Sequence, residues 1–164
     1  MNDAIERATT KVREYLRAKG LKLATAESCT GGLIAYSLCA TGDTTDFFSS
    51  GFTTYTNKAK QNMLGVSEET LRLYTAVSEQ TVKEMAQGAR DRSGEDVSLS
   101  VSGYAGPDGG EDGTPAGTVW FGWALNDGRV VAEKRHFNGD PKTVIDQAAA
   151  FALERLIELL KEQE

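Results

Sequence analysis

Apolar residues along this chain switch repeatedly between two spacings, and the order of the switches confines it to a mixed α/β architecture. Ile5, Ala8, Val12, Tyr15 and Leu16 recur at helical spacing behind Asp3, and Gly20 stops the run. Residues 21–26 alternate Leu21, Leu23 and Thr25 with Lys22 and Ala24, which predicts a strand. Residues 31–40 return to helical spacing through Leu33, Ile34, Ser37 and Leu38. The aromatic and β-branched residues of 51–55 predict a second strand, followed by a short helix over 57–64 that Gly65 closes. Residues 67–73 add a helical turn or two, and Ser78 caps a longer helix with Val82, Met85, Ala86 and Ala89 inside. Val97, Leu99 and Val101 alternate with serines in a third strand. Residues 117–125 and 129–137 form a hairpin through Asn126-Asp127-Gly128. Asp140-Pro141 opens the last helix, with Val144, Ile145, Ala148, Ala152, Leu156 and Leu159 on its inner face. The predicted fold class is a three-layer α/β/α arrangement with a mixed sheet, in one domain over residues 1–164.

Composition narrows the function. The chain has 164 residues, 40% hydrophobic and 26% charged, which suits one globular domain rather than disorder. Its formal net charge of −6 argues against a nucleic-acid partner held through the phosphate backbone. No stretch approaches the ~18 apolar residues of a membrane span, so no membrane partner is expected. The charged first twenty residues do not read as a secretory signal. Cys29 and Cys39 read as free thiols in a cytoplasmic protein, and two cysteines with one histidine do not make a zinc site, so no metal is expected.

Three segments carry candidate chemistry. The first, Thr25-Ala26-Glu27-Ser28-Cys29-Thr30-Gly31-Gly32, joins a strand to a helix start. A Ser or Cys nucleophile there has helix N–H groups beside it to receive an oxyanion, and Gly31-Gly32 allows close approach of a ligand. A plain cap followed by packing glycines explains the same residues. The second is Tyr55-Thr56-Asn57-Lys58-Ala59-Lys60, in which Lys60 suits a general base if burial lowers its pKa, and Tyr55 a proton carrier. Solvated lysines and core tyrosines are the plainer explanation. The third runs from Ser102 to Gly117 and contains six glycines. It lacks both the P-loop ending and a GxGxxG fingerprint, but its N–H groups suit an anion. His136, the single histidine, leaves a Cys29–His136 or Ser28–His136 pair open.

Together TAESCTGG, GFTTYTNKAKQNMLGV, and SGYAGPDGG with PAGTVWFGW resemble the CinA C-terminal domain family over nearly the whole chain. The resemblance implies an amidase that converts nicotinamide mononucleotide and water to nicotinate mononucleotide and ammonia. It implies catalytic Ser28, Tyr55 and Lys60, and substrate contacts from Thr30, Gly31, Gly32, Ala105, Gly106, Pro107, Gly109 and Gly110. It implies no cofactor, a small-molecule substrate and a homo-oligomer, dimer or higher. Three basic positions common in relatives are absent: Thr114 stands where a Lys is frequent, and Pro141 and Ile145 where Arg is frequent. An amidase for a different, unphosphorylated carboxamide is therefore kept as an alternative, as is a non-catalytic ligand-binding module.

Overall fold

Helix α1 (Asp3–Lys19) starts where the Asn2 side chain accepts the Ile5 N–H at 2.9 Å, and ends at left-handed Gly20. Asp3 lies in the first turn, still facing the positive helix end. The Leu21 N–H turns back to the Leu16 carbonyl, and the Lys22 N–H goes to the Asp96 carboxylate. Both residues are thus drawn away from the ladder, and strand β1 is Leu23–Glu27 rather than 21–26. The computed structural model describes residues 2–164. It continues with α2 (Leu33–Ala40), a 3-10 turn at Thr44–Asp46, β2 (Phe48–Thr53), α3 (Asn57–Leu64), α4 (Glu68–Tyr74) and α5 (Glu79–Ser93). Then come β3 (Val97–Gly103), β4 (Thr118–Ala124), β5 (Val130–His136) and α6 (Pro141–Glu162). The 3-10 turn has no counterpart in the sequence reading. Among the described residues no helix is long and apolar enough to cross a membrane.

The sheet order is β2-β1-β3-β4-β5. Strand β1 pairs in parallel with β2 and β3, and β4 and β5 add antiparallel. The mixed sheet and its two helix layers match the fold class read from the sequence. One layer holds α1, α2 and α6 over a core that includes Ile5, Leu38, Phe121, Trp123 and Leu156. The other holds α3, α4 and α5 over Ala26, Leu64, Leu71, Val82 and Met85.

The two faces are packed by different means. Toward α6 the sheet presents large side chains: Phe121 and Phe151 lie 4.8 Å apart by ring centroids, and the Trp123 Nε1–H donates to the Ala152 carbonyl at 3.0 Å. Toward α5 it presents Ser98, Ser100 and Ser102, all fully or nearly fully buried. Their hydroxyls donate to the carbonyls of Ala86, Val82 and Ala76. Small residues let α5 approach closely, and the hydroxyls satisfy their own burial on carbonyls of α5 and of the segment that leads into it. Alternation with serine therefore marks a strand covered on both faces, not one half in water.

Parallel pairing sets the functional end of the sheet. Glu27 at the end of β1 is opposite Thr53 on β2 and Val101 on β3, so three strands finish at one edge. Close packing of α5 then positions α3. A Cβ on Gly88 of α5 would stand 1.9 Å from the Leu64 carbonyl oxygen at the end of α3. Gly88→Ala is expected to lower unfolding free energy by about 2–3 kcal/mol in urea titration, with the α3 side of the core displaced.

Candidate active site

Ser28 is the first residue beyond β1, and its N–H still reaches the Val101 carbonyl at 2.9 Å. The chain must then reverse into α2. Gly31 and Gly32 accomplish this with φ of 59° and 99°, a conformation side chains disfavour. Glu27, 1% exposed, holds the far side of the turn. Its two carboxylate oxygens accept the Ile34 and Ala35 N–H groups, each at 2.9 Å. The positive end of α2 is thus occupied by a carboxylate of the chain itself. The Gly31 N–H is also used, on the Ser28 carbonyl at 3.1 Å. Among the described residues, the N–H groups of Thr30 and Gly32 have no hydrogen-bond partner.

Lys60 is brought to Ser28 by the neighbouring strand. Helix α3 starts at the Thr56 cap, whose side chain accepts the Ala59 N–H, and its first turn aims Lys60 back under the sheet edge. The side chain is buried, with 1% of the residue exposed. Its Nζ lies 2.9 Å from Ser28 Oγ, 2.8 Å from the Thr54 carbonyl and 3.2 Å from the Tyr55 carbonyl. Burial lowers its pKa from 10.5 to about 8, because an ammonium deprived of water is disfavoured. The ammonium donates to all three oxygens, and on deprotonation two N–H groups still serve the carbonyls while the lone pair is left for the Ser28 hydroxyl.

Tyr55 joins this cluster through its main chain. Its carbonyl touches both Lys60 and Ser28 Oγ, the latter at 3.4 Å, while the residue itself is 72% exposed. Cys29 is buried beside Ser28, and loss of water pushes its thiol up to about 12, so it stays protonated near neutrality. His136 is at the end of β5, three strand positions from β1, about 14 Å at ordinary spacing. Its Nε2 is 3.0 Å from the Ala116 carbonyl, and neither Cys29 nor Ser28 pairs with it.

The glycine-rich loop is ordered by its own hydrogen bonds. Gly110, Gly113 and Gly117 spend their N–H groups on the carbonyls of Thr114, Gly110 and Tyr104. Its expected substrate contacts divide. Gly109 and Gly110 line a cavity of about 620 Å³ with Asn57, Thr75, Tyr104 and Asp112. Gly106 instead faces Ala116 and Pro141 at the start of α6, and Ala105 packs against the core. The cavity lies beside the Ser28–Lys60 pair in the chain: Asn57 starts α3, and Tyr104 follows Gly103, whose backbone meets the Cys29 thiol. Among the described residues no three His, Cys, Asp or Glu side chains gather as a metal site. Two elements escaped the sequence reading: the Glu27 clamp and the Thr54 carbonyl. A charged residue ending a buried strand just before a glycine turn is the signal for the first; main-chain acceptors leave none.

Alkylation at pH 7 without denaturant tests the thiol assignment. Iodoacetamide is expected to label the exposed Cys39 and spare Cys29, giving one adduct by mass spectrometry.

The model of the CinA C-terminal domain matches residues 5–160. Protein YdeJ of Escherichia coli K12 is 50% identical over 158 residues, covering 96% of this chain and 91% of that protein. Nicotinamide-nucleotide amidohydrolase PncC of Enterobacter agglomerans is 51% identical over 146 residues, covering 89% of each. The crystal structure of competence damage-inducible protein A from Klebsiella pneumoniae is similar at a TM-score of 0.95 and 46% identity, covering 98% of this chain and 99% of that one.

Proposed function

Because this chain belongs to the CinA C-terminal domain family, we propose that its Ser28–Lys60 pair hydrolyses a carboxamide, with nicotinamide mononucleotide as substrate and nicotinate mononucleotide and ammonia as products. The observation that carries this reading is the 2.9 Å contact between a buried amine and a serine hydroxyl at the sheet edge. The printed name of the PncC relatives supports the reaction class and the nucleotide.

In the proposed mechanism the neutral Lys60 amine takes the Ser28 proton as Oγ attacks the carboxamide carbon. The oxyanion is received by the unpaired N–H groups of Thr30 and Gly32. The Lys60 ammonium then returns its proton to the departing nitrogen, which leaves as ammonia. The proton-delivery role expected of the Tyr55 phenol passes to Lys60, and Tyr55 contributes the carbonyl that orients the amine. A water molecule, deprotonated by Lys60, attacks the acyl-enzyme and frees Ser28. The chemistry needs no cofactor.

Ammonia release from nicotinamide mononucleotide tests the pair. Ser28→Ala and Lys60→Ala are each expected to lose about 10³-fold or more in kcat. Turnover undiminished in either variant refutes the mechanism. Lys60 must be unprotonated, and its pKa is lowered to about 8, so activity is limited by the amine fraction below that value. The kcat/KM profile is expected to rise about tenfold per pH unit on the acid side and to level off above pH ~8. A flat profile from pH 6 to 9 counts against Lys60 as the base.

A further inference from the structure

Beside the cavity lined by Asn57, Tyr104, Gly109 and Gly110 lies a second one that the mechanism does not use. It has a volume of about 410 Å³ and includes Val77, Thr114, Thr118, Trp120, Lys134 and His136 in its lining. The two cavities flank the same two segments: Thr75 and Ala76 line the first and Val77 the second, and likewise Asp112 and then Thr114. Trp120 and Lys134 are opposite each other across β4 and β5, as are Thr118 and His136, so all four share one face of the sheet. Lys134 Nζ stands 5.8 Å from the centroid of the Trp120 ring, which holds the cation over the groove. Arg135 also lines it, but its guanidinium is engaged by Glu133 at 3.4 Å and by the Phe151 ring at 4.8 Å. Among the described residues no Asp or Glu lines this groove, although the chain carries −6 overall.

Its distance from Ser28 is meaningful. The start of β4 and the end of β5 lie at the same sheet edge as the end of β1, since Gly103 is opposite Val119 and Thr118 opposite His136. Two and three strand spacings separate them from β1, about 10 and 14 Å. In a pyridine mononucleotide nine bonds join the carboxamide carbon to phosphorus, an extended reach of roughly 11 Å at about 1.2 Å per bond. That reach spans the two spacings to β4, where Lys134 extends its Nζ from β5 to within 5.8 Å of the Trp120 ring, so a carboxamide at Ser28 puts the phosphate within reach of this groove. The ring between them crosses the cavity whose lining includes Glu111 and Asp112, where a pyridinium charge is favoured.

We propose that the groove formed by Thr114, Thr118, Trp120, Lys134 and His136 is the seat of the substrate's phosphate monoester. The inference rests on the amidase reading above. It supplies, from β5, a cation that the Thr114, Pro141 and Ile145 positions do not. Lys134 is exposed, so its replacement leaves the core intact.

Steady-state ammonia release by wild type and Lys134→Glu, from nicotinamide mononucleotide and from nicotinamide riboside, decides the matter. The KM increase for the mononucleotide is expected to exceed that for the riboside at least tenfold. Equal effects on the two amides, or none, overturn the phosphate site and leave the amidase reading standing. Should wild type release ammonia from neither, the amidase reading falls, and calorimetric titration with nicotinamide mononucleotide judges the groove alone. At least tenfold weaker binding by Lys134→Glu then supports it, and unchanged binding overturns it.

Discussion

The amine of Lys60, taken out of water and set against Ser28, is the interaction on which the rest of the structure converges. Burying a charged ammonium costs several kcal/mol, so the site favours the neutral amine and its pKa falls to about 8. What makes the burial tolerable is a full set of partners: the Ser28 hydroxyl and the carbonyls of Thr54 and Tyr55. Those partners come from the ends of two adjacent parallel strands. An antiparallel pairing would have sent one of these chain ends to the opposite edge of the sheet.

The surrounding scaffold holds this cluster with little slack. Glu27 clamps the start of α2 and so fixes the turn that carries Ser28. On the other side, the buried serines of β3 and the bare Cα of Gly88 let α5 settle against the sheet and α3 against α5. The aromatic packing of Phe121, Trp123 and Phe151 anchors the opposite layer. Rigidity on both flanks keeps a serine and a lysine 32 residues apart in sequence at hydrogen-bond distance.

Charge is sorted along the functional edge of the sheet. Ser28 and a lysine that burial shifts toward its neutral form sit at β1 and α3, two carboxylates border the middle cavity, and a lysine over a tryptophan borders the outer groove. This order mirrors that of the proposed substrate: an amide, a ring cation and a phosphate. Occupation of the α2 N-terminus by Glu27 fits the same layout, because the helix end is then closed to the proposed substrate's phosphate.

The sequence alone determined most of the scaffold. Helical and alternating spacings, Gly20, the Asn126-Asp127-Gly128 turn and the Asp140 cap are short-range signals, and each produced its element within a few residues. It also marked Ser28 and Lys60, through motifs that resemble a family. Tertiary structure decided the rest. Strand β2 is Phe48–Thr53 and not 51–55, because pairing with β1 sets its start and the Thr54 and Tyr55 carbonyls turn to Lys60 at its end. The serines of β3 are inside because a helix covers them, which alternation cannot reveal. Which atoms of Tyr55 touch the site, what Glu27 clamps and what Lys134 faces all depend on strand pairing between distant segments. Local pattern records what one stretch of chain prefers, whereas a site assembled from main-chain carbonyls and neighbouring strands exists only once those stretches are brought together.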